Sequence, residues 1–215
     1  MQDKESRLIE SLKADLAPVQ PVGSVGSVAL LWLLVSVAYV LALGSLLGPF
    51  RPGFASQLVE VPRFSFEMVL GLAALACFLA VSLREAVPGL PVNGLRRAGW
   101  LLLIVWLGQF LLGFAAPTFE PSMLGKRDHC VWEAYLYSVP PLAWLIYLQR
   151  RRYVLEPVRA VFHAALAAGL LPALMMQIAC MHAPAHILGF HVLPVGVLAA
   201  VAVGLTWWTT RQAGS

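Results

Sequence analysis

Residues 25–48 read VGSVALLWLLVSVAYVLALGSLLG, 24 positions without a charge. A helix needs about 20 mostly apolar residues to cross the hydrocarbon of a bilayer, so this stretch is long enough by itself. Working outward, five more stretches have the same character. They are Phe66–Leu83, with Glu67 in its opening turn; Ala98–Ala116, with Gln109; Val131–Leu148, with Glu133 near its start; Val158–Cys180, with Arg159 and His163; and Ile187–Trp208. Continuous apolar runs without period-two alternation argue against a β-barrel. The expected fold is an all-α integral membrane protein. A six-transmembrane-helix bundle occupies 25–210, a soluble segment 1–24 precedes it, and a tail 211–215 follows.

Composition supports this reading. Of 215 residues 60% are hydrophobic and 12% charged, with mean hydropathy +0.77. Soluble domains carry roughly 25% charged residues, and a soluble globule could not hide so much apolar surface from water. A soluble enzyme, a disordered chain and a disulfide-knit secreted domain are excluded.

Positive charge sets the expected orientation. The side holding both termini collects Lys4, Arg7, Lys13, Arg84, Arg96, Arg97, Arg150, Arg151, Arg152, Arg159 and Arg211. The opposite side has Arg51, Arg63, Lys126 and Arg127. Under the positive-inside rule the N- and C-termini are cytoplasmic. The net charge of +4 then reflects topology, with anionic lipid headgroups as its partners and no direct nucleic-acid role. Pro140–Pro141, Pro172 and Pro194 fall inside expected spans, where each frees a carbonyl and predicts a local kink.

The segment 1–24 has helical periodicity. Leu8, Leu12 and Leu16 recur every four residues with Ile9 alongside, and Pro18 and Pro21 end the pattern. So short an amphipathic helix is marginal in water and needs a surface to lie on. Its acidic residues Asp3, Glu5, Glu10 and Asp15 outnumber Lys4, Arg7 and Lys13. That balance suits a groove on a soluble partner better than an anionic leaflet.

Cys130 and Cys180 stand at the far ends of the fourth and fifth spans, while Cys77 lies inside the second and reads as a small buried hydrophobe. The fourth and fifth spans form an antiparallel hairpin rising about 27 and 33 Å, so the two cysteines return to nearly the same depth. A disulfide there would close a 50-residue loop, contributing about 4 kcal/mol in the chain-entropy model. Histidines gather on the same side: His129, His182, His186 and His191. His129, Cys130, Glu133, Cys180, His182 and His186 are candidate ligands for zinc or copper, since thiolate and imidazole suit both. A structural disulfide, a metal- or redox-responsive thiol pair, and two free cysteines all fit the residues. His163, within the fifth span, reads as a packing residue rather than a proton carrier.

Three features together resemble a known family. They are the leader Leu8-Ile9-Glu10-Ser11-Leu12-Lys13-Ala14-Asp15-Leu16-Ala17-Pro18-Val19; the block Cys130-Val131-Trp132-Glu133-Ala134 with Pro140-Pro141 and the arginine cluster after it; and Cys180 with His186 and His191 beyond. The chain resembles the NrsF-type, six-span bacterial anti-sigma factors, the negative regulators of sigma F. The resemblance implies a non-enzymatic protein of the bacterial inner membrane that sequesters an extracytoplasmic-function sigma factor. Leu8, Ile9, Leu12 and Leu16 would contact sigma, and Cys130 and Cys180 would sense a periplasmic metal or redox stress. Two other classes compete. A membrane thiol-disulfide oxidoreductase usually needs a second cysteine pair as relay, which the three cysteines do not supply. A small metal or solute permease needs ionisable groups near the midplane, where only Gln109, Gln177 and His163 stand.

Overall fold

The computed structural model describes Glu5, Glu10 and residues 23–120, 122–152 and 154–213. Leu8, Ile9, Leu12 and Leu16 of the N-terminal segment lie outside the described residues. Among those described, the regular structure is helical: α1 (Val25–Leu47), α2 (Phe54–Glu60), α3 (Pro62–Glu85), α4 (Asn93–Leu112), α5 (Cys130–Arg150) and α6 (Pro157–Ala179). A short turn, α7 (Pro184–His186), runs through a π-helical stretch (Ile187–Val192) into α8 (Leu193–Ala213).

Every expected span has its long helix. Those of α1, α3, α4 and α6, and the continuous helix Pro184–Gln212, are long and apolar enough to cross a membrane. The expected fourth span, α5, has the length (21 residues, about 32 Å) but not that hydropathy. Trp132, Glu133, Tyr135, Tyr137, Gln149 and two prolines dilute its aliphatic residues. Among the described residues, five helices are therefore long and apolar enough to cross a membrane where six spans are expected. The seven-residue α2 was not anticipated; it lies in the loop after α1.

The axis of the bundle is α6, buried along almost its whole length and packed by α1, α3, α5 and α8. Its sequence explains this position. Ala160, Ala164, Ala165, Ala167, Ala168, Gly169 and Ala173 keep its surface low, which lets neighbouring helices approach. At Gly169 a Cβ atom would stand 2.2 Å from Val195 Cγ1, so only glycine admits α8 at that crossing. The outer surface is apolar, with Leu30, Leu34, Leu101, Ile104, Val201 and Leu205 all exposed. Water disfavours a surface of that kind, and bilayer hydrocarbon suits it.

One set of polar groups is paired at the end where α1 begins, the near end. Glu85 of α3 accepts from His163 Nδ1 at 2.7 Å and from Arg159 Nε at 3.2 Å, both on α6, and meets Arg96 of α4 at 3.7 Å. His163 is buried there, hydrogen-bonded to Glu85 and stacked on Phe78. The helices continue through Pro140, Pro141 and Pro172, and the carbonyl that Pro140 cannot bond, that of Leu136, accepts from Tyr39 Oη of α1 at 2.9 Å.

Candidate metal centre

At the far end, α5 begins with Cys130 and α6 stops at Ala179, leaving Cys180 just beyond it. The hairpin brings the two sulfurs to 3.3 Å, as free thiols. The chain then runs without helix from Cys180 and enters α7 at Pro184, which turns His186 back over the pair. His186 Nε2 lies 3.4 Å from Cys130 Sγ and 3.3 Å from Cys180 Sγ. Its ring stacks on Phe190 at 4.7 Å.

The fourth member is His191, fully buried, whose ring meets that of His186 edge-on at 4.9 Å. Ligand atoms of Cys130, Cys180, His186 and His191 all lie within 4.8 Å of one another. His186 and His191 are five residues apart, a spacing that points to different sides of an α-helix. The π stretch Ile187–Val192 closes its turn over five residues instead of four, and so presents both rings to the sulfurs.

The donor set fits a metal ion. Two thiolates and two imidazoles form the common tetrahedral zinc set and also suit cuprous ion. With bonds of about 2.0–2.3 Å, tetrahedral donors stand roughly 3.3–3.8 Å apart. Outside the cluster neither ring nitrogen of His191 has a hydrogen-bond partner among the described residues, and within it the ring interacts with the Cys180 sulfur, which leaves a buried donor group open to a ligand. Cys180 is held below the usual thiol range by its hydrogen bond to Cys130 and by His186, against burial, which raises it.

The chain matches, over residues 12–211, the family described as NrsF, negative regulator of sigma F. The protein belongs to the NrsF family. No curated protein and no solved structure matches it. Membership makes the chain a negative regulator of a sigma factor, with a sigma factor as its partner.

In this NrsF chain three of the sequence-predicted ligands stand away from the four converging donors. His129 is exposed on the loop at the far end. Glu133 is taken by Arg127 Nε at 3.0 Å and by Tyr137 Oη at 3.3 Å. His182 precedes the helix instead of sharing it with His186, and its Nε2 meets Glu67 at 2.9 Å between the rings of Phe64 and Phe119. Cys130, Cys180 and His186 are brought together, and His191 joins them. The sequence signal for His191 was its place on the outer side; its spacing hid it.

Two further features were not read from sequence. Arg51, 4% exposed, lies between the rings of Phe64 and Phe119 at 5.2 and 4.9 Å, and its amide bonds the Ile178 carbonyl. Burial pulls its guanidinium down from the ordinary value and charge on Cys180 pushes it back up, so a cation is built in beside the pair. A cleft of about 630 Å³ lined by Met123, His129, Cys130, Met181, His186 and Phe190 leads to the cluster. Its thioethers and imidazoles suit a soft ion on the way in.

Proposed function

We propose that this NrsF protein is a six-span anti-sigma factor of the bacterial inner membrane, with both termini in the cytoplasm. It holds an extracytoplasmic-function sigma factor through Leu8, Ile9, Leu12 and Leu16, and releases it when the outer Cys130/Cys180/His186/His191 cluster takes a soft transition-metal ion. The observation that carries this reading is the convergence of two thiols and two imidazoles at the end opposite the start of α1. Zinc or cuprous ion would bind through those four side chains, Arg51 would offset thiolate charge, and the cleft would admit the ion. A regulator needs differential binding between two states, and a coupling of about 1–3 kcal/mol between cluster and N-terminal segment suffices.

The test is co-purification from native membranes in mild detergent. The full-length protein is compared with a Leu8/Leu12/Leu16→Ala variant, and bound soluble proteins are identified by mass spectrometry. A sigma factor retained by the first and lost by the second supports the reading. Equal retention moves the contact elsewhere, and no sigma factor in either sample overturns it. A second trigger has its own support in the 3.3 Å sulfur separation. An oxidant taking two electrons, with loss of two protons, would join the thiols as a disulfide.

A further inference from the structure

A signal at the far end must reach α1, because α1 continues into the N-terminal segment. Three hydrogen bonds join α1 to α5 and the residues just before it. Near the middle of the bundle Trp32 Nε1 donates to the Pro141 carbonyl at 3.0 Å, and Tyr39 Oη to that of Leu136 at 2.9 Å. At the far end Arg127 Nη2 donates to the Gly44 carbonyl at 3.2 Å. This third bond differs from the others in what stands behind it.

Arg127 is held by the cluster itself. Its carbonyl accepts from Cys130 Sγ at 3.2 Å, and that same sulfur lies 3.3 Å from Cys180 Sγ. Its guanidinium, with the side chain 7% exposed, is fixed by Glu133 at 3.0 Å. The last turn of α1 is bare where the guanidinium lies: a Cβ at Gly48 would stand 2.7 Å from Arg127 Nη2. Gly44 is met from the other side by Met175 of α6, whose Cε would be 2.3 Å from a Cβ there. The last turn of α1 is thus touched from both cysteine-bearing sides, with glycine at each point of contact.

We infer that Arg127 is the positioning residue that carries the state of the cysteine cluster to the first helix. The inference rests on the reading of the cluster as a metal sensor. When the Cys130 sulfur binds an ion, its hydrogen leaves to water and the Arg127 carbonyl loses its donor. The turn that precedes α5 then resettles, and the guanidinium grip on Gly44 changes with it.

The experiment uses purified full-length protein with zinc as the probe. Hydrogen exchange over residues 40–48 is followed by mass spectrometry with and without zinc, for wild type, Arg127→Gln and Gly48→Ala. Zinc affinity is measured in parallel by chelator competition, and sigma retention by co-purification. Zinc is expected to change exchange of the last turn of α1 in wild type. Arg127→Gln is expected to bind zinc as wild type does while losing that change, together with the zinc effect on sigma affinity, about tenfold in wild type. Gly48→Ala, which fills the guanidinium's place without altering charge, should behave alike and stands in if Arg127→Gln fails to fold. An exchange change that survives in both variants overturns the inference, as does loss of zinc binding in Arg127→Gln, which would place the residue in the site. A wild-type exchange change without effect on sigma leaves the inference standing and overturns the functional reading. Zinc release of sigma that persists in both variants does the reverse. Absence of zinc binding by wild type overturns both.

Discussion

Replacing His191 by alanine separates the four-donor cluster from the ligand set that spacing alone suggests. Structural zinc sites bind with about 10–16 kcal/mol over four ligands, so one ligand is worth about 3 kcal/mol. That is a loss of about 100-fold in affinity. His191 is buried and its ring nitrogens have no partner outside the cluster among the described residues, so its removal breaks no hydrogen bond elsewhere among them. His129→Ala is the matched control: an imidazole of the same face, exposed and outside the cluster. Both variants would be titrated with zinc in detergent against a chromogenic chelator, with folding checked by circular dichroism. The expected result is about a hundredfold loss for His191→Ala and wild-type affinity for His129→Ala. Wild-type affinity in His191→Ala, or an equal loss in both, would refute the reasoning.

Three other outcomes follow from the geometry. Gly169→Ala pushes a methyl into Val195 and should destabilise by about 1–3 kcal/mol, whereas Gly196→Ala, with open space around its Cβ, should not; thermal unfolding in detergent compares them. Tyr39→Phe leaves the Leu136 carbonyl without its donor and should cost about 1 kcal/mol. Pro140→Ala in that background restores an amide to the carbonyl, so a double-mutant cycle should give a smaller Tyr39→Phe effect there. Cys130→Ala removes the main cause that holds Cys180 low, so thiolate absorbance from Cys180 should appear at higher pH than in wild type. An unmoved titration would count against the hydrogen bond as cause.

Much of the fold was legible because hydrophobic length is a direct reading of helix placement. Val25–Gly48 and α1 (Val25–Leu47) differ by one residue, since an uncharged apolar run, capped by Ser24, sets that helix. The fourth span was harder. Of its aromatic residues Tyr137 is buried while Trp132 and Tyr147 are exposed, and together with the prolines they lower the hydropathy by which spans are recognised. Cys130 and Cys180 could be brought together by counting rise along the hairpin. His191 could not, because its place in the cluster depends on a π turn, and nothing in α-helical spacing signals one. Glu133 and His182 had the right chemistry for ligands, but the hairpin walk carried no information on Arg127 or Glu67, whose charges claim them. Arg127 itself read as a topological charge. Its link to Gly44 spans 83 residues and depends on two glycines that sequence presents only as small residues.

The measurement that tests the central claim most directly is the affinity of the co-purified sigma factor for the full-length protein with and without zinc. Wild type is set beside a Cys130→Ser/Cys180→Ser variant. The account predicts that zinc weakens sigma binding about tenfold in wild type and leaves the double variant, which still binds sigma, unchanged. Equal affinity in wild type with and without zinc, or the same weakening in the double variant, would contradict it.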